Sequence, residues 1–216
     1  MDKDLIIGGA SNYDYDKLQY WINSIKQTDF TGDIVLCATN ISKETLDKLE
    51  SKKISIYAYG NKEEDGSYKS QTKLAPHVER FFFIWNFLKQ YGHQYKHVIV
   101  TDTRDVVFQT NPTTFLEKNL EIHKSIICSS EGLLYKHEPW GDKNILETFG
   151  PFFHEMLREQ MICNVGTIAG TSDEVAALLL MIFQMSVGRP IPVVDQAVFN
   201  FYIGQIPWFD EVYRTE

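Results

Sequence analysis

Leu5-Ile6-Ile7-Gly8-Gly9, followed by Leu18, Trp21, Ile22 and Ile25, is the stretch on which the fold turns. Three apolar residues stopping at two glycines predict a short buried strand that breaks at the glycines. The apolar residues beyond recur three and four positions apart, the period of a helix with one buried face. Asn12 or Asp14 stands where a side chain caps that helix, whose unpaired amides then point back toward the strand end. The rhythm repeats: Asp33 to Thr39 reads as a strand, Ser42 to Ser51 as a helix with Leu46 and Leu49 inward, and Lys53 to Tyr59 as a strand in which Ile54 and Ile56 alternate. Strands alternating with helices predict an α/β fold, a mostly parallel central sheet with helices on both faces.

The polar stretch Asn61 to Thr72, with Asp65-Gly66 inside it, predicts a mobile surface loop, either a lid or a variable segment. Val78, Phe81, Phe82, Trp85 and Leu88 mark a helix ending near Gly92, and His97 to Thr101 the next strand. That strand is expected to stop at Asp102-Thr103-Arg104-Asp105, resume at Val106-Val107-Phe108 and turn at Asn111-Pro112. Ser125 to Ser129 reads as a strand, Glu131 to Lys143 as a loop, and Ile145 to Gln160 as helical pieces broken by Gly150-Pro151. Thr171 to Val187 is the most apolar helix, and Asp195 to Tyr202 a final one. No repeat, linker or low-complexity tract interrupts the chain, so residues 1–216 read as a single domain.

With 44% hydrophobic and 23% charged residues the chain has ordinary globular composition, neither disordered nor fibrous. A net charge of −8 gives no general attraction for nucleic acid or anionic lipid. A diphosphate would bind only if a metal ion or a few placed cations offset the surrounding carboxylates. Cys37, Cys128 and Cys163 stand singly in apolar runs, which suits reduced core thiols rather than zinc ligands or a disulfide framework. Val175 to Phe183, the longest apolar run, falls well short of the roughly 20 residues of a membrane helix, and Met1 to Asp4 is not a basic leader. A soluble, cytoplasmic protein without a membrane span is expected.

In open α/β sheets, ligands gather beyond the carboxyl ends of the parallel strands. One such end carries Gly8 and Gly9, with Ala10 and Asn12 beside them, where absent side chains would admit a base, ribose or phosphate to the backbone, or would simply form a tight turn. Another carries Asp102 and Asp105. Carboxylates three positions apart around a strand end can share a hard cation such as Mn²⁺ or Mg²⁺, which would bridge to phosphate oxygens and neutralise a departing diphosphate. The alternative is structural, Asp102 capping a turn and Asp105 pairing with Arg104 or another cation. A dehydrogenase lacks its third glycine here, and an aspartyl phosphatase lacks its Asp-x-Asp at the strand end.

The run Val98-Ile99-Val100-Thr101-Asp102-Thr103-Arg104-Asp105-Val106-Val107-Phe108-Gln109-Thr110-Asn111-Pro112 resembles the DxD region of GT-A fold glycosyltransferases. Glu79-Arg80-Phe81 resembles the Arg-containing segment that precedes it, Cys163-Asn164-Val165-Gly166-Thr167 the Asn-x-Gly stretch near the donor sugar, and Asp195-Gln196-Ala197-Val198-Phe199-Asn200 the Asp-Gln helix start. With Asn111-Pro112 aligned, Asp105 takes the last acid of DxD while Thr103 takes the first, so the second carboxylate, Asp102, is displaced by one position. The resemblance is greatest to small GT-A domains of large DNA viruses, of the chlorovirus type, that glycosylate capsid protein; for such a protein the compartment would be the host cytoplasm.

The resemblance implies a hexosyltransferase that uses Mn²⁺ or Mg²⁺, a UDP-sugar donor and a glycan or glycoprotein acceptor, with further C-terminal domains allowed. Asp105 and Asp102 would be the metal ligands, Asp102 acting directly, through water, on ribose or not at all. Gly8, Gly9, Ala10, Asn12, Arg80, Asp102, Thr103, Arg104, Asn164, Gly166 and Gln196 would surround the donor. Asp195 would be the catalytic base of an inverting reaction, a sugar-orienting group of a retaining one, or merely a helix cap, with Glu131 and Asp210 the next carboxylates to consider. Trp140 would stack on an acceptor sugar or anchor its loop. A catalytically silent nucleotide-sugar or carbohydrate-binding module is the competing reading.

Overall fold

The computed structural model describes residues 3–120, 125–205 and 212–215. Its main sheet has seven strands in the order β3-β2-β1-β6-β8-β7-β9: β1 Leu5–Ser11, β2 Asp33–Thr39, β3 Ser55–Ala58, β6 His97–Thr101, β7 Ile126–Leu134, β8 Met161–Thr171 and β9 Val212–Thr215. A two-stranded ribbon pairs β4 Asn61–Lys62 with β5 Tyr68–Lys69. The pairings β1/β2, β1/β6, β2/β3 and β7/β9 are parallel, while β8 runs antiparallel to both its neighbours. The mostly parallel α/β sheet is the one expected, with one reversed strand, β8, between β6 and β7.

Residues two apart on each strand face the same side. Leu5, Ile7, Val35, Cys37, Val98 and Val100 join the core under α3 Pro76–Tyr91, α7 Ser172–Ser186 and α8 Asp195–Ile203. Ile6, Leu36, Ala38 and Ile99 face the opposite core, under α1 Tyr15–Lys26, α2 Lys43–Ser51 and α4 Thr113–Asn119. Sequence-adjacent residues of one strand thus bury opposite faces, as a sheet covered on both sides requires. Helices α5 Pro139–Phe149 and α6 Pro151–Leu157 close a small third cluster around Tyr135 and Ile145. Asp14 caps α1, accepting the Lys17 amide at 3.0 Å.

Several expected boundaries move, each for a physical reason. The first strand does not break at Gly8-Gly9 but runs through them to Ser11. A Cβ on Gly8 would lie 2.2 Å from the Thr103 methyl, and one on Gly9 would lie 2.9 Å from Arg80 Cβ, so these glycines admit neighbouring side chains rather than a turn. Val106 to Phe108 form no strand. The stretch Asn61 to Thr72 is pinned at several points: Tyr68 bridges to Ile41, and Ser70 and Thr72 donate hydroxyls at 2.5 and 2.6 Å to Glu79, a carboxylate only 2% exposed. Glu131 to Lys143 is not one loop, since β7 extends to Leu134 and α5 starts at Pro139. The eleven-residue β8 is the main element the sequence leaves unannounced. Asp210 lies outside the described residues. Among the described residues no helix is long and apolar enough to cross a membrane.

Candidate functional site

The carboxyl ends of β1 and β6, the middle of β8 and the first turns of α3 and α8 converge on Arg80. Its guanidinium side chain, 15% exposed, pairs with Asp102 through Nη1 and with Asp195 through Nη2, the latter at 3.1 Å. Burial pushes the pKa of this guanidinium down from its ordinary value; the charge of Asp195 and its hydrogen bond push it back up, and Tyr13 and Asp105 add to that field. An arginine remains charged under such a shift. Its Nε is buried and has no partner among the described residues.

From Arg80 the contacts close into a ring. Asp102 donates its backbone N–H to the Gly166 carbonyl at 2.8 Å, and a Cβ on Gly166 would fall 2.6 Å from Asp102 Oδ2 and 2.8 Å from Asn164 Oδ1. Glycine at 166 therefore lets the Asp102 carboxylate and the Asn164 amide stand close together. Asn164 Oδ1 accepts the Gly166 N–H at 2.7 Å, and its Nδ2 donates to Glu131 Oε1 at 3.1 Å. Gln196 does the same from the next element: Oε1 accepts the Val165 N–H at 3.2 Å and Nε2 donates to Glu131 Oε1 at 3.0 Å. Asp195, adjacent to Gln196, returns the ring to Arg80. Asn200, one turn along α8, fixes this helix to β8 by bonding both backbone groups of Cys163, at 2.7 and 2.8 Å.

A cleft opens beside the ring, lined by Gly9, Ala10, Ser11, Tyr13, Tyr59 and His77, with Arg80 common to both. Tyr59 stacks on Phe83 with centroids 3.5 Å apart, which fixes its ring as a wall. Ser11 Oγ accepts from Asn12 and Asn40 at 3.2 and 3.1 Å, joining the loops after β1 and β2; both asparagines sit at positive φ, 60° and 47°, where short amides are tolerated.

The sequence-derived residues thus divide. Gly9, Ala10, Arg80, Asp102, Asn164, Gly166, Asp195 and Gln196 come together in the ring and cleft. Thr103 is 2% exposed, its hydroxyl donating to the Gly9 carbonyl at 3.0 Å and its methyl in the space Gly8 leaves open. Gly8 and Thr103 therefore brace the sheet, and the side-chain space of Gly8 is filled by protein rather than open to a ligand. The position aligned with the first acid of DxD is thus a buried threonine. Arg104 and Asp105 are exposed and do not pair with each other. Asp195 is no helix cap: Val194 occupies the cap position, and the Asp195 carboxylate, 6% exposed, goes to Arg80 instead. Trp140 lies in the first turn of α5 with 54% of its surface exposed. Tyr13, Tyr59, His77 and the place of Glu131 in the ring have no signal in the sequence beyond residue type.

No protein-family profile matches the chain, and no curated protein matches it in sequence. Solved structures do resemble it. The glycosyltransferase GlyE of Streptococcus pneumoniae TIGR4 superposes with a TM-score of 0.58 at 11% identity, over 99% of this chain and 45% of that one. The likeness is one of fold, and with the sheet order above it establishes the GT-A architecture. The chain spans less than half the length of that structure.

Proposed function

We propose that the chain is a metal-assisted glycosyltransferase that moves a hexose from a nucleoside diphosphate, a UDP-sugar, to a hydroxyl of a glycan or glycoprotein. The observation that carries this reading is the closed ring of Arg80, Asp102, Gly166, Asn164, Glu131, Gln196 and Asp195, set beside an aromatic-lined cleft at the carboxyl edge of a GT-A sheet. Tyr13, Tyr59 and His77 offer a flat wall for a base, and the backbone from Gly9 to Ser11 an approach for ribose.

Charge decides how a diphosphate enters. The Arg80 guanidinium stands in the field of three carboxylates, Asp102, Asp105 and Asp195, and a pyrophosphate arriving alone would meet like charge. Among the described residues no three His, Cys, Asp or Glu side chains gather as a complete metal cage. The donor chemistry nonetheless fits Mg²⁺ or Mn²⁺, which commonly take one or two protein carboxylates and complete their shell with phosphate and water oxygens. Asp105, exposed, and Asp102, through Oδ2, would hold the ion. When bound, it would neutralise charge on the leaving diphosphate. Arg80 adds a fixed positive charge on the same side. The hold of Arg80 on Asp102 is also what favours the competing reading, a silent sugar-nucleotide-binding module.

Thermal unfolding with UDP separates these elements. Saturation at a hundredfold excess over Kd contributes about 2.7 kcal/mol, some 5–10 °C for a domain of this size. The shift is expected with Mn²⁺ and lost in chelator. Equal shifts in both would remove the metal from the account, and no shift with any nucleotide diphosphate would remove the donor class.

A further inference from the structure

We propose that Glu131 is the carboxylate through which this site grips a carbohydrate hydroxyl, held in place for that task by Asn164 and Gln196; the proposal rests on the glycosyl-transfer reading. The other carboxylates of the ring are committed. Asp195 is buried and paired with Arg80, and Asp102 is held by the same guanidinium. Glu131 is exposed, at a point where β7 leaves its register: pairing with β8 shifts between Ser130 and Leu134, and Gly132 follows at φ 68°. A bulge of this kind re-aims a side chain out of the ladder.

The orientation of the two amides follows from chemistry. The backbone N–H groups of Val165 and Gly166 need acceptors, so Gln196 and Asn164 must turn their carbonyl oxygens toward them. Both NH₂ groups then face the same atom, Glu131 Oε1. Two donors on one oxygen fix the plane of the carboxylate and leave Oε2 as the acceptor without a partner among the described residues. Carbohydrate hydroxyls donate to such an oxygen, and bonds to an ionised acceptor are the stronger kind. The hydroxyl is either one of the transferred sugar or that of the acceptor.

Glu131→Gln separates holding from gripping. Glutamine can keep its oxygen toward Asn164 and Gln196, and the atom replacing Oε2 becomes a donor that cannot accept the hydroxyl proton. We expect this variant to melt and to bind UDP as wild type does, and to lose about tenfold to a hundredfold in rate, the range for a hydrogen bond to a charged group. Glu131→Ala should lose the same rate and, with the amide pair released, some stability too. If the hydroxyl belongs to the donor sugar, hydrolysis without acceptor falls along with transfer. If it belongs to the acceptor, transfer alone falls. Glu131→Gln working at wild-type rate in both assays would overturn the proposal, as would a variant whose only defect is stability. A wild-type chain that turns over no nucleotide sugar would instead remove the reaction on which the proposal rests.

Discussion

Replacing Arg80 by methionine keeps most of the apolar stem and deletes the charge that Asp102 and Asp195 share. Asp195 is 6% exposed at its side chain, so its charge would stay buried without a partner, and breaking a buried pair from one side costs about 3–5 kcal/mol. Asp102 is 34% exposed; water screens it, and its share is under about 1 kcal/mol. At about 2–4 °C per kcal/mol for a domain of this size, Arg80→Met should melt some 6–20 °C below wild type. Adding Asp195→Asn removes the stranded charge, so the double variant should recover part of that loss. Denaturant unfolding of wild type, both single variants and the double variant gives the coupling directly, expected at about 1–3 kcal/mol. Strictly additive losses would refute the reasoning that Arg80 holds the site together through Asp195.

Asp105→Asn should abolish most of the Mn²⁺-dependent UDP binding, because the exposed Asp105 makes no hydrogen bond or ion pair among the described residues and is the acid aligned by Asn111-Pro112. Asp102→Asn should act on both fold and binding, since it also weakens the Arg80 contact; calorimetry of the two variants in which only Asp102→Asn loses the metal effect would reverse the assignment. Gly9→Ala places a methyl 2.9 Å from Arg80 Cβ and should cost about 1–3 kcal/mol by overpacking while displacing the guanidinium. A Gly9→Ala protein with wild-type melting and UDP affinity would show that this close approach does not position Arg80.

The first half of the fold was legible because its apolar residues follow recognisable patterns: unbroken runs, Leu5 to Ile7 and Leu36 to Ala38, in strands buried on both faces, and a spacing of three and four, Leu18, Trp21, Ile22 and Ile25, in a helix. Strand β8 was not, because Asn164, Gly166, Thr167 and Gly170 interrupt its apolar run. Those interruptions have local causes, Gly166 making room for Asp102 and Gly170 for the Ser125 carbonyl, 2.3 Å from where its Cβ would stand. The glycines at 8 and 9 suggest a turn or a ligand's approach in sequence, because sequence shows an absent side chain but not that Thr103 and Arg80 fill the space. Arg80 and Asp195 were both legible as candidates; that they pair across 115 positions was not. Glu131 carried no pattern at all, since its partners lie 33 and 65 residues away.

The most direct test is turnover: purified protein with a panel of nucleotide sugars, in Mn²⁺ and in chelator, followed by release of nucleoside diphosphate with and without added glycan. The account predicts release from a UDP-sugar in Mn²⁺, little in chelator, and in Asp195→Asn a rate lower by about a hundredfold or more if Asp195 supplies the proton-accepting group, less if it only orients Arg80. No release from any nucleotide sugar, by a chain that still binds UDP, would contradict it and leave a binding module in its place.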